Sequence, residues 1–147
     1  MTDTLLNTKF HIPQVSPRAI RRERLLDCLA HDTAGKLTLV SAPAGFGKTT
    51  LVSMWARKAA KGVAWLSLGV EDNDPARFLA YLLAACQQVD ARIGADARAT
   101  LQSLQSVSHE AILTDLLNDL AASDRTLFLV LDDYHLIENQ QIHDGMI

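Results

Sequence analysis

Residues 37–50 read Leu37-Thr38-Leu39-Val40-Ser41-Ala42-Pro43-Ala44-Gly45-Phe46-Gly47-Lys48-Thr49-Thr50. The first five are rich in β-branched and apolar side chains and read as a short strand, the first in the chain. Over residues 49–61, Leu51, Val52, Trp55, Ala56 and Ala59 recur at helical spacing, and Gly62 follows as a C-terminal stop. Strand, glycine-containing turn and helix in direct succession form the setting of a phosphate-binding loop. Two glycines let the backbone curl so that consecutive N–H groups face one anion, and the helix adds its positive end.

The same spacing assigns the side chains. Ala42, Pro43, Ala44, Gly45, Phe46 and Gly47 form the cradle, and Lys48 reaches the β- and γ-phosphates as a catalytic cation. Thr49 offers a hydroxyl to Mg²⁺, and Thr50 meets phosphate from the first helical turn. The consensus GxxxxGK[ST] has glycine where this chain has Ala42, a change alanine tolerates if its φ is negative. A partner signal lies downstream, where Leu127-Phe128-Leu129-Val130-Leu131 delivers Asp132-Asp133. This unbroken apolar run reads as a strand buried on both faces, with Asp132 orienting Mg²⁺ at its C-terminal end. Asp133 then serves either as the base that polarises an attacking water or as a supporting acid behind it.

Between these motifs, Val63-Ala64-Trp65-Leu66-Ser67-Leu68 reads as a second strand. Asp74 and Pro75 precede Phe78, Leu79, Leu82, Leu83 and Cys86, giving N-cap, first-turn proline and apolar face in order. A further helix carries Ile112, Leu113, Leu116, Leu117 and Leu120 before the third strand. The expectation is therefore an α/β fold, a partial P-loop NTPase fold with three parallel strands, flanking helices and an incomplete sheet. Upstream, residues 1–16 read as a polar arm, and Ser16 with Pro17 as the N-cap and first turn of a helix carrying Ile20, Leu25, Leu26 and Leu29. Residues 17–147 then form the N-terminal part of the NTPase domain. The other face of that first helix holds Arg18, Arg21, Arg22 and Arg24, and its position before the loop lets Arg22 lie against the base of a bound nucleotide.

With 48% hydrophobic and 21% charged residues the composition is globular, and 147 residues suit one domain or part of one. Lys and Arg number 14 against 17 Asp and Glu, a net charge of −3 that provides no field to draw in a polyanion, so DNA binding by this chain is not expected. Cys28 and Cys86 form no CxxC and read as reduced core residues, which points to the cytoplasm. The N-terminus lacks a signal-peptide pattern, no apolar run reaches membrane-spanning length, and the five histidines show no metal-ligand spacing. Trp55 and Trp65 fall on apolar faces and read as core.

Taken together, several segments resemble the MalT-like, LuxR-type ATP-dependent regulators of the STAND class of P-loop ATPases. The resemblance rests on Thr8-Lys9-Phe10, Arg22-Glu23-Arg24-Leu25-Leu26, residues 42–50, Asp72-Asn73-Asp74-Pro75-Ala76-Arg77-Phe78 and Leu131-Asp132-Asp133-Tyr134-His135-Leu136-Ile137. Ala42 is usual in that family, whereas Gly69 stands where members commonly carry Asp. The resemblance implies a switch that binds ATP or ADP with Mg²⁺, hydrolyses slowly and self-associates. It also implies a C-terminal helix-turn-helix that binds DNA, which these residues do not include. By similarity Arg22 belongs to the nucleotide-clamping motif, Lys48 and Thr49 to the P-loop, and Asp132 and Asp133 to the Walker B pair. The sheet of such ATPases runs second, third, first, fourth, fifth, and only the first three are expected here. Residues 37–41 would then form an edge exposing Leu37, Leu39 and Val40, a surface for self-association. Two other readings compete. One is a small P-loop phosphotransferase, whose acceptor site and arginine-bearing lid would lie between the second and third strands, a stretch that holds Arg77, Arg92 and Arg98 but nothing arranged as a substrate clamp. The other is an interaction fragment without nucleotide activity.

Overall fold

A computed structural model of the chain describes residues 5–32, 37–59, 62–103 and 108–146. It forms two compact units, residues 12–60 and residues 1–11 with 61–147. Residues 1–4 of the expected arm and 60–61 at the end of the expected P-loop helix lie outside the described residues.

In the 12–60 unit, helix α1 spans Glu23–Asp32 and packs on α2, Lys48–Ala59. The expected helix start at Ser16 is corrected. The Ser16 Oγ accepts the Arg18 N–H at 3.2 Å and its carbonyl accepts the Ala19 N–H at 2.9 Å, which closes an isolated turn. Serine bonding its own neighbouring backbone competes with helix propagation here. Helical bonding begins where the Arg22 carbonyl accepts from Leu25 and Leu26, both at 3.0 Å. Leu26 is buried and Ile20 is 83% exposed. At the other end of the unit, Arg57 on α2 donates to the Ile12 and Pro13 carbonyls at 3.0 and 3.1 Å.

The expected first strand is also corrected, and with it the count of three. Residues 37–41 form no strand, and Leu37 and Leu39 are 86% and 83% exposed. β-propensity expresses itself through cross-strand packing and burial, and a run whose apolar side chains at Leu37 and Leu39 stay exposed lacks the burial that would hold it in a ladder.

The other unit carries the sheet. Strand β1, Val63–Ser67, pairs in parallel with β2, Phe128–Asp132, in the register Val63 to Phe128 through Ser67 to Asp132. Among the described residues these are the two strands of the sheet, and the expected second and third strands are neighbours as anticipated. Between them run α3 (Pro75–Val89), α4 (Ala95–Gln102) and α5 (His109–Ala122), and α6 (Gln140–Gly145) follows β2. The fold is mixed α/β, consistent with a partial P-loop ATPase fold. Gly62 enters β1 at φ 78°, and a Cβ there would collide with the Thr126 carbonyl oxygen, so both the backbone and the space require glycine.

Helix α3 follows its sequence signals closely. Asp74 caps it by accepting the Arg77 N–H at 2.8 Å, Pro75 occupies the first turn, and Phe78, Leu79, Leu82, Leu83 and Cys86 are buried. They form the core with Ala64, Leu66, Ile112 and Leu116. Trp65 is buried with its indole N–H on the Ser67 hydroxyl at 3.0 Å. β2, expected to be buried on both faces, is half-buried throughout, as a strand with a single ladder partner among the described residues would be. No helix among the described residues is long and apolar enough to cross a membrane.

Both cysteines are free, but the pairing of both with the core is corrected, since Cys28 is exposed and Cys86 buried. Burial pushes the Cys86 thiol up to about 11. The folded chain thus holds this proton more tightly than the unfolded chain, so the stabilisation present below the unfolded pKa is lost as pH rises through it. Chemical denaturation should show about 1 kcal/mol lost between about pH 8 and 10. An undiminished alkaline loss in Cys86→Ala would assign it to another group.

Candidate functional site

The segment 42–47 turns on its two glycines. Gly45 and Gly47 stand at φ 81° and 79°, and the Phe46 N–H closes on the Pro43 carbonyl at 3.4 Å. A Cβ at either glycine would meet nothing within 4 Å, so glycine is needed for its conformation and not for space. Ala42 does not have a positive φ, the condition under which alanine replaces the consensus glycine. Helix α2 begins at Lys48 directly behind the loop, and its first turn carries Thr49 and Thr50. Arg57 and Lys58 in its last turn complement the dipole that makes the loop end positive. The Lys48 Nζ folds back over the loop and donates to the Ala42 carbonyl at 2.6 Å and the Pro43 carbonyl at 3.2 Å.

Arg22 reaches the same loop, its guanidinium donating to the Phe46 carbonyl at 3.3 Å. Arg18, Arg21 and Arg24 are exposed, and Arg21 pairs with exposed Glu23 at 2.7 Å, a surface contact of little weight. Among the described residues, Arg22 is thus the arginine of this segment that bonds to the loop.

In the other unit, the two acids sit where β2 ends. The Asp132 carbonyl accepts the Leu68 N–H at 3.0 Å, extending the ladder past Ser67. Asp133 then turns the chain at φ 59°, the one non-glycine residue with positive φ among those described. A single 3₁₀ turn, Tyr134–Leu136, follows. The His135 Nδ1 stands 3.9 Å from the half-exposed Asp133 carboxylate, and the Tyr134 hydroxyl and His143 Nδ1 share a hydrogen bond at 2.9 Å. Among the described residues no group of three or more His, Cys, Asp or Glu side chains gathers as a metal cage. The hydroxyl of Thr49 and the carboxylate of Asp132 are hard oxygen donors, the kind Mg²⁺ takes alongside phosphate oxygens.

Two features in this unit carried no assigned role in the sequence. Asp72, wholly buried, accepts from the ammonium of Lys9, from the Arg77 guanidinium at 3.2 Å and from the Gly69 N–H at 2.8 Å. Lys9 also meets Glu71 at 2.8 Å and lies over the Tyr81 ring at 4.9 Å. Burial pulls Lys9 down, but Asp72 and Glu71 outweigh it and hold the ammonium above its usual range. The second feature is Asn73, whose amide bonds to the segment after the acids. Both residues fall inside the Asp72-Asn73-Asp74-Pro75 run that carries the resemblance, the one signal that marked them.

A family model described as an AAA ATPase domain matches residues 17–143. The chain belongs to the AAA ATPase domain family. The HTH-type transcriptional regulator MalT of Cronobacter sakazakii is 42% identical to it over 142 residues, 97% of this chain and 16% of that protein. MalT proteins of two strains of Klebsiella pneumoniae are 41% identical over the same share. The resemblance to MalT-like regulators therefore holds, and the chain spans 16% of the length of the relatives it matches.

Within this ATPase domain, the arginines that a phosphotransferase would use to clamp an acceptor have partners of their own. Arg77 is bonded to Asp72, Arg92 to Asp90 at 2.8 Å and Arg98 to Gln87 at 2.6 Å. Arg92 holds the Asp90 carboxyl well below the usual carboxylate range.

Proposed function

We propose that this chain is the nucleotide-switch module of a MalT-like LuxR-type transcriptional regulator, binding ATP or ADP with Mg²⁺ and hydrolysing ATP slowly. The observation that carries the reading is the loop 42–50, with Gly45 and Gly47 in the left-handed region and Lys48 poised over it at the head of α2. An anion in the loop meets the backbone of Ala42, Pro43, Ala44, Gly45, Phe46 and Gly47. Lys48 exchanges its two carbonyl bonds for stronger, charge-assisted bonds to β- and γ-phosphate oxygens. Thr50 adds a hydroxyl from the first turn, and Arg22, held beside Phe46, lies against the base.

Mg²⁺, when bound, neutralises phosphate charge. Thr49 and Asp132 are the residues we assign to hold it, and Asp133 is the base that takes a proton from the attacking water. The exposed side chains of Leu37 and Leu39 support self-association of the module. The free thiols of Cys28 and Cys86 support a cytoplasmic setting, and DNA contact is left to regions outside these residues.

The roles of the two acids separate experimentally. Asp132→Asn should weaken the Mg²⁺ dependence of ATP binding more than binding itself, because it removes metal-directed charge and keeps shape. Asp133→Asn should keep affinity and lower turnover by about a hundredfold or more. Calorimetry with and without Mg²⁺, alongside phosphate release, reads both. Identical behaviour of the two variants would overturn the division, and a folded chain that binds neither ATP nor ADP would overturn the function.

A further inference from the structure

We propose that Asn73 is a positioning residue for Asp133. The proposal rests on the reading of Asp133 as the base of the nucleotide site and adds to it the residue that fixes where that carboxylate stands.

Asn73 closes the 3₁₀ turn Val70–Asn73 that follows β1, just ahead of the cap of α3. Its side chain makes four hydrogen bonds, the full pairing of its two donor hydrogens with one bond to each acceptor lone pair. The Nδ2 donates to the Val70 carbonyl at 3.0 Å and the Leu136 carbonyl at 2.8 Å. The Oδ1 accepts the Glu138 N–H at 2.6 Å and the Asn139 N–H at 3.1 Å. Asn139 returns the contact, its Nδ2 donating to the Asn73 carbonyl at 2.9 Å while its Oδ1 caps α6 through the Gln141 N–H at 3.0 Å. Three attachments, one at Leu136 in the turn that follows Asp133 and two just beyond it at Glu138 and Asn139, thus tie down this segment.

Asp133 needs such an attachment. Its left-handed backbone is a conformation that persists in a non-glycine residue when the surroundings over-determine it. Behind it, the Asp133 carbonyl accepts the Leu136 N–H at 3.0 Å, so the position of Leu136 feeds back on Asp133. In front of it, β2 fixes Asp132 through its pairing with Ser67. Between the ladder and the Asn73 clasp the chain has one short turn in which to place the Asp133 carboxylate. Buried Ile137 and the bond between Tyr134 and His143 hold the outer side of that turn. Asn73 is the residue that ties the segment back to the β1 side of the unit.

The test uses the full chain with Asn73→Ala and Asn73→Asp. The second keeps the shape but replaces both donor hydrogens with a carboxylate facing two carbonyls. Two readouts are taken. Amide exchange and backbone NMR, without nucleotide, should show lost protection at Glu138 and Asn139 and loss of the left-handed conformation at Asp133. Steady-state kinetics should show kcat lowered by about 10–100-fold with KM for ATP and Mg²⁺-nucleotide affinity within about threefold of wild type. A folded variant that keeps the Asp133 conformation, or in which kcat stays at the wild-type value, overturns the proposal. So does a joint fall of kcat and affinity, or failure of both variants to fold, since Asn73 would then serve the whole unit. If the wild-type chain itself binds no nucleotide, the functional reading fails, and the structural readout alone decides whether Asn73 holds Asp133.

Discussion

Asp72→Ala should lower the free energy of unfolding by about 3–5 kcal/mol, the loss typical of breaking a buried ion pair from one side. The carboxylate is wholly buried, and its removal leaves the nine-tenths buried ammonium of Lys9 with Glu71 and the Arg77 guanidinium with no carboxylate contact of its own. It also frees the Gly69 N–H and undoes the turn that leads into α3. For a chain of this size the corresponding fall in Tm is about 6–20 °C, read by thermal denaturation. Lys9→Met combined with Asp72→Leu should be milder than Asp72→Ala alone, because the buried ammonium is removed together with its buried carboxylate and apolar volume fills their place. A single variant with wild-type stability would show that the cluster contributes nothing net.

The second large effect concerns binding. Lys48→Ala should remove measurable nucleotide affinity in calorimetry, through the loss of a charge-assisted contact of about 1.5–3 kcal/mol and the under-neutralised phosphate charge that remains. The folded protein should be little changed, since the Lys48 Nζ meets only two carbonyls of its own loop in the described contacts. Wild-type affinity in folded Lys48→Ala would refute the assignment of the loop.

Local chemistry was the legible part of this molecule. Asp74 and Pro75 announced α3, and the structure has the cap, the proline and the buried face in the anticipated places. The glycines of the loop announced backbone conformations that few other residues adopt, and they are present at Gly45 and Gly47. Parallel pairing of the two apolar strands likewise followed from the helices between them. Residues 37–41 were misread because a strand exists through its partners, and no property of five residues encodes whether a partner is in place. The helix start was misread at Ser16 because the signal of a serine before proline is shared by an isolated turn, and here the turn prevails.

What remained hidden depends on distant contacts. Lys9 and Asp72 are more than 60 positions apart in sequence, as are Asn73 and the segment at Glu138, and nothing in either local stretch states that they meet. Arg22 differs, because its position was legible. Its place before the loop suggested a role, and the bond to the Phe46 carbonyl puts it at the loop's edge.

The central claim, that residues 42–50 cradle the phosphates of a nucleotide, is tested most directly by amide chemical shifts of the full chain as Mg²⁺-ADP is added to saturation. The account predicts that the largest shifts fall on the amides of Gly45, Phe46, Gly47, Lys48, Thr49 and Thr50, and that they vanish in Lys48→Ala. Saturation with shifts confined to residues outside this loop, or no shift at millimolar nucleotide, would contradict it.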